Sequence, residues 1–287
     1  MIQLDSFDAI RLDSFDGAAL ERAARIVRGM QSVLVAYSGG VDSTLLLKLA
    51  LDELGRESAI AVLASSPAFP AAEQEEARRL ARALGVRLEE VETHETELPE
   101  YLQNNPDRCF HCREELFGTL EPVRERLGLR WLAYGATADD AGDHRPGHGS
   151  AVRRGVRFPL LEAGMGKGEI RSAARRLGLS NWDKPSFACL SSRIPHGTAV
   201  TMDALRRIER AEAAVQALGF RQVRVRDHGS VARIEVEAEE IPRLTELREA
   251  VVGAVRAAGY EFVAADLEGY ATGRLNRTWK PKASTSS

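Results

Sequence analysis

Along the first half of the chain two kinds of apolar pattern take turns. "SVLVAYS", "SAIAVLASS" and the start of "RWLAYGATADD" are short, nearly continuous apolar runs, and "VRLEEVET" mixes apolar with charged positions over a similar length. All four predict strands. Between them, "GAALERAARIVRGM", "STLLLKLALDEL" and "PAAEQEEARRLARALG" repeat their apolar residues at helical spacing, and Gly55 stops the second. Strands alternating with helices of this length predict an α/β fold, a parallel doubly wound sheet covered on both faces. Its ligands belong at the carboxyl ends of the strands.

Past "FPLLEAGMGKGEIRSAARRLGLSNWDKPSFACLSSRIPHGTAVT" the order changes. "MDALRRIERAEAAVQALG" predicts a helix, "RQVRVRD" and "VARIEVE" two alternating strands around His228 and Gly229, "LTELREAVVGAVRAAG" a helix, and "EFVAADLEGY" a last strand. The chain therefore divides into an extension over 1–17, a larger α/β domain over 18–195, a smaller α+β domain over 196–275 and a tail over 276–287 whose composition predicts disorder. The extension holds a near-duplicate, "IQLDSFDA" then "IRLDSFDG", too short to stack as a structural repeat.

Composition narrows the class. At 287 residues and 44% hydrophobic content the chain can bury a real core. No apolar run nears the roughly 18 residues of a membrane helix, and the acidic start does not read as a signal peptide. Three cysteines, an odd number at uneven spacing, fit reduced thiols and a cytoplasmic protein better than a disulfide framework. With 39 Lys and Arg against 42 Asp and Glu there is no basic excess for nucleic acid.

"AYSGGVDSTLLLKLA" carries the first chemistry. Ser38-Gly39-Gly40-Val41-Asp42-Ser43 lies between a predicted strand and a predicted helix, where backbone N–H groups and the helix dipole converge on an anion. A turn that merely reversed the chain would have no use for three hydroxyl or carboxylate groups beside helix-start amides. It is not a Walker A loop, since no Gly-Lys-Ser/Thr follows, nor the dinucleotide pattern G-x-G-x-x-G. Ser-Gly-Gly-x-Asp-Ser after an apolar strand resembles the signature of the ATP pyrophosphatases, which split ATP to AMP and pyrophosphate while adenylating an oxygen. That resemblance implies an adenine nucleotide alpha hydrolase-like fold, pyrophosphate in the loop, and Mg²⁺ on Asp42. Ala36, Ser65 and Gly135 join the loop as expected nucleotide-binding positions.

Other stretches are more specific. "NPDRCFHCREELF", "GATADDAGDHRPG", "PLLEAGMGKGEIRSAARRLGL", "WDKPSFACLSSRIPHGT" and "LGFRQVRVRDHGSVARIEV" together resemble the LarE family, ATP-dependent sulfur transferases that help build a nickel-pincer nucleotide cofactor. The resemblance implies a substrate, pyridinium-3,5-biscarboxylic acid mononucleotide, whose carboxylates become thiocarboxylates through an acyl-adenylate. It also implies a homo-oligomer, with a hexamer among the forms it suggests. Two readings compete with it: a tRNA thiolation enzyme, which would need a basic RNA surface, and a non-catalytic ATP sensor, which would release no pyrophosphate.

The family often carries only the cysteine corresponding to Cys189, which gives up its own sulfur; this chain adds Cys109 and Cys112. Cys109 and Cys112 in "CFHC" sit one turn apart, a half-site for zinc or iron–sulfur, a redox pair, or two buried thiols; His111 between them is expected partly exposed. A sacrificial route needs one cysteine, whereas three thiolates can anchor a 4Fe-4S cluster and leave its fourth iron open to hydrosulfide. The expectation is the cluster on Cys109, Cys112 and Cys189, with sacrificial Cys189 the alternative. Arg193 can hold the Cys189 thiolate charged or help bind a phosphate.

Alternation in "RQVRVRD" sets Arg224 and Arg226 on the face opposite Val223 and Val225, a fork pair for the substrate phosphate or equally one half of cross-strand ion pairs with Arg233, Glu235 and Glu237. The resemblance favours phosphate. It also puts Glu212 near a second metal or the substrate, although periodicity alone makes Glu212 an exposed helix residue. Asp139, Asp140 and Asp143 follow a strand, where nucleotide or Mg²⁺ contacts fall and where solvated acidic loops are also common. Trp131 is expected in the core, and Lys167 is expected to start a helix.

Overall fold

The computed structural model describes residues 17–140, 151 and 153–271. Asp143, most of the N-terminal extension and the C-terminal tail lie outside the described residues. The described residues up to Ser66, with Ala71–Glu95 and Cys109–Phe187, form one compact unit; Pro67–Pro70, Thr96–Arg108 and the described residues from Ala188 onward form a second.

In the first unit the chain runs α1 (Gly17–Met30), β1 (Val33–Tyr37), α2 (Val41–Leu54), β2 (Ala59–Ser65), α3 (Ala71–Leu84), β3 (Leu88–Glu92), α4 (Arg108–Arg126), β4 (Trp131–Tyr134) and α5 (Lys167–Arg176). Arg108, the first residue of α4, is counted with the second unit. The strands form one parallel sheet in the order β3-β2-β1-β4. Every residue of β1 is buried, because alternate side chains enter cores on opposite faces. Val33, Val35 and Tyr37 pack with α1, α2 and α5; Leu34 and Ala36 pack with Phe117 and Leu120 of α4. Trp131 is half-buried beneath the Arg157 guanidinium, 5.2 Å from its ring centre. No described helix is long and apolar enough to cross a membrane.

The second unit holds α6 (Met202–Ala217), β5 (Arg224–His228), β6 (Val231–Glu235), α7 (Ile241–Glu246), α8 (Arg248–Ala257) and β7 (Phe262–Ala265). Its sheet has the order β5-β6-β7, antiparallel then parallel. The single helix expected from "LTELREAVVGAVRAAG" is two, α7 and α8, meeting at Leu247. The expected strand–strand turn is present, with Gly229 at φ +74°.

Candidate active site

The anion loop is built by β1 delivering the chain to the first turn of α2. Gly39 has φ +72°, and a Cβ placed on it would stand 2.7 Å from the Ala77 Cβ of α3. Only glycine fits there. Gly135, just past β4, lies so close to α2 that a Cβ would be 3.0 Å from the Ser43 nitrogen. Ser43 Oγ donates to the Gly40 carbonyl at 3.1 Å, accepts from Ser38 N at 3.2 Å and lies 3.2 Å from Ser38 Oγ. Thr44 Oγ1 donates to the same carbonyl at 2.8 Å. Val41, Ala36 and Ser43 are buried, Ser65 is half-buried, and Ser38 stays exposed.

Asp42 is half-buried, and burial pushes its carboxyl up to about 6; Lys167 opposes the rise, Asp140 and Asp139 add to it, and Arg171 opposes it. A carboxyl crowded by other carboxylates at the sheet's carboxyl edge gains by taking a cation. Asp139 and Asp140 also have structural work: Asp139 Oδ2 accepts from Lys167 N at 2.5 Å where α5 begins, and Asp140 Oδ2 accepts from Thr137 N and Oγ1, both at 3.0 Å.

Cys109 and Cys112 lie one turn apart at the start of α4, Cys109 exposed, Cys112 and His111 half-buried. Cys189 is half-buried and caps a 3-10 turn, Leu190–Arg193, in the second unit. None of the three is in a disulfide. Thiols suit iron or zinc in kind, and two of them share one helical turn. Among the described residues no three His, Cys, Asp or Glu side chains stand together as a metal site.

The second unit buries an unusual amount of charge. Arg193 is fully buried: Nε and Nη2 donate to Glu212 at 2.8 and 2.9 Å, and Nη1 donates to the carbonyls of Ala188 and Cys189 at 2.5 and 3.0 Å. Glu212 is therefore buried, against the exposure that helical periodicity implied; its Oε1 also accepts from Val225 N at 2.9 Å, which draws it onto β5. The face of β5 bearing Arg224 and Arg226 is covered as well, each being 6% exposed. Arg226 pairs with Glu235 at 2.5 Å and donates to the Ser192 carbonyl at 3.1 Å. The pair is diagonal, since the register sets Arg226 opposite Arg233 and Arg224 opposite Glu235. Burial, with Arg193 as the next cause, holds the Arg224 guanidinium below its usual range. Arg224 donates to the Val223 carbonyl at 2.8 Å and lies 5.3 Å from the Tyr270 ring centre.

Sequence comparison finds relatives of this chain. A Synechocystis sp. protein described as uncharacterized is 42% identical over 90% of this chain and 97% of its own length. The pyridinium-3,5-bisthiocarboxylic acid mononucleotide synthase of Lactiplantibacillus plantarum, a LarE protein, is 36% identical over 88% of this chain and 91% of that protein. The chain belongs to the LarE family. Within this LarE-family chain a family model described as NAD synthase matches residues 23–112, from α1 to the cysteine pair. The GMP synthase of Thermus thermophilus is 34% identical over 56% of the chain and 35% of that enzyme. These matches agree with the parallel sheet and its loop as an adenine nucleotide alpha hydrolase-like domain. Two polar residues gave no signal in the sequence: Thr44, hidden in a leucine run, and Asn181, which donates to the Gly39 carbonyl and to Thr44 Oγ1, each at 3.0 Å.

Proposed function

We propose that the protein is an ATP-dependent sulfur transferase that converts carboxylates of pyridinium-3,5-biscarboxylic acid mononucleotide to thiocarboxylates. Ser38, Gly39, Gly40, Asp42 and Ser43 hold the β- and γ-phosphates, with the adenosine resting along Ala36, Val41, Ser65 and Gly135. Mg²⁺ on Asp42 would offset the phosphate charge. A substrate carboxylate oxygen attacks the α-phosphorus, and pyrophosphate leaves with the P–O bonding pair. A sulfide nucleophile then attacks the acyl carbon of the acyl-adenylate, and AMP leaves, so the carboxylate oxygen departs on phosphorus. Iron–sulfur on Cys109, Cys112 and Cys189 would supply that sulfide from an iron lacking a protein ligand.

A cluster of buried guanidiniums in the second unit supports the substrate side. Around Leu190–Arg193 and β5 the guanidiniums of Arg193, Arg224 and Arg226 are all buried, Arg193 on Glu212 and Arg226 on Glu235. Arg226 Nε has no acceptor among the described residues. A buried guanidinium with an unused donor suits a substrate phosphate.

The deciding assay follows the nucleotide products with and without the carboxylate substrate. AMP and pyrophosphate are expected, and ADP with orthophosphate would overturn the proposal. For the sulfur source, anaerobic reconstitution is expected to give a brown protein with about four irons per chain, lost on changing any one cysteine to Ala. A colourless protein that turns over once and leaves dehydroalanine at position 189 would replace it with sacrificial chemistry.

A further inference from the structure

Asn181 follows α5 in a turn that the fold holds from several sides. Arg171 donates to the carbonyls of Trp182 and Lys184 at 3.2 and 2.7 Å, and Lys184 pairs with Glu73 and Glu76 of α3, each at 2.7 Å. The Asn181 side chain is 4% exposed. Both Nδ2 hydrogens are used, on the Gly39 carbonyl and on Thr44 Oγ1, and Thr44 passes its own hydrogen to the Gly40 carbonyl. Because Gly39 O can only accept, the amide must face it with nitrogen. Oδ1 is then left buried with no partner among the described residues, a cost the site carries to keep both donors in place.

The peptide joining Gly39 to Gly40 is trans, which points its C=O and N–H in opposite directions within one plane. A carbonyl turned to Asn181 therefore turns the Gly40 N–H the other way, toward Ser38 Oγ at 3.4 Å, on the cradle side of the loop. Ala77 stands so near that a Cβ on Gly39 would lie 2.7 Å from the Ala77 Cβ, so the position must stay glycine, whose backbone is free to flip unless something holds it. A peptide flip here would swap a donor for a carbonyl oxygen and repel an anion.

From this geometry we infer that Asn181 is a positioning residue that fixes the Gly39–Gly40 peptide so that its N–H faces the pyrophosphate of ATP. The inference rests on the loop being the pyrophosphate site. It concerns binding of the polyphosphate and not the acceptor: Asn181 touches loop backbone and Thr44 in the first unit.

Asn181→Asp keeps the shape and removes both donors, placing a carboxylate against the Gly39 carbonyl. Pyrophosphate inhibition is expected to weaken and the KM for ATP to rise by about ten-fold or more, with the KM for the carboxylate substrate little changed; the buried carboxylate also lowers the ligand-free melting temperature, so binding is read well below it. Asn181→Ser, which can serve only one acceptor, is expected to fall between the two. If the parent enzyme itself neither binds pyrophosphate nor releases it, the loop assignment fails and Asn181 is not at issue. If the parent binds and a folded Asn181→Asp retains parental pyrophosphate affinity, the positioning role is wrong. Loss of folding in both variants would also overturn it, since Asn181 would then serve the fold and not the loop.

Discussion

At the residue scale the loop aspartate costs the folded protein stability once it ionises. Asp42 titrates near 6 in the folded protein against an ordinary value of 3.8, so ionising it costs the folded state. Stability from this group is complete below the unfolded value and lost as pH rises through 6. Asp42→Asn is therefore expected to abolish turnover and to raise unfolding free energy at pH 8 by roughly 1 to 3 kcal/mol, a gain that shrinks toward pH 4. Urea unfolding of both proteins at the two pH values checks the sign. The buried arginines divide differently. Arg226→Ala takes from the buried Glu235 the nearer of its two guanidiniums, leaving Arg233 at 3.3 Å, and is expected to cost about 3 kcal/mol or less, so it reports on folding. Arg224→Ala is expected to lose about 1.5 to 3 kcal/mol of substrate binding with the fold retained; unchanged affinity in titration would refute it. The strand alternation of "RQVRVRD" marked where both arginines point, but a two-residue period cannot tell an open face from one closed by the Leu190–Arg193 turn.

At the element scale most of the helices and strands were legible because apolar spacing and the enclosing core agreed. Exceptions have local causes. The helix bearing Cys109 and Cys112 starts at Arg108, buried by its donation at 2.8 Å to the Ser191 carbonyl, and its apolar stripe is weak behind "RCFHCREE". The break at Leu247 follows no glycine, and the apolar period runs through it. Helix α6 was clear at both ends: Thr201 caps it, its hydroxyl accepting from Ala204 N at 3.1 Å. Thr201→Ala is expected to cost about 1 kcal/mol, read as a lower urea midpoint. What periodicity missed on this helix was Glu212, since a paired carboxylate packs inward like an apolar side chain once Arg193 and a backbone N–H satisfy it.

At the scale of the molecule the proposed chemistry is shared between the two units, with the phosphate loop, Asp42 and the cysteine pair in one, and Cys189, Arg193, Arg224 and Arg226 in the other. Hydrogen exchange can read the two separately. Mg²⁺ with ATP is expected to slow exchange at residues 38–44, and the mononucleotide substrate at 190–193 and 223–226. A pattern in which ATP protects only the second unit would refute this division.

Residues 96–108 leave the larger unit's sequence and join the smaller, where the fully buried Asn104 donates from Nδ2 to the carbonyls of Ile194, Pro195 and Thr198 at 3.3, 2.9 and 2.8 Å. The gene therefore has no single point at which the smaller unit can be exchanged for a homologue's. A chimera joined near 188 inherits its Asn104 from one parent and the carbonyls that Asn104 gathers from the other. Recombination within such a lineage should leave the two tracts travelling together, and a library of crossovers should recover active hybrids only where both come from one source.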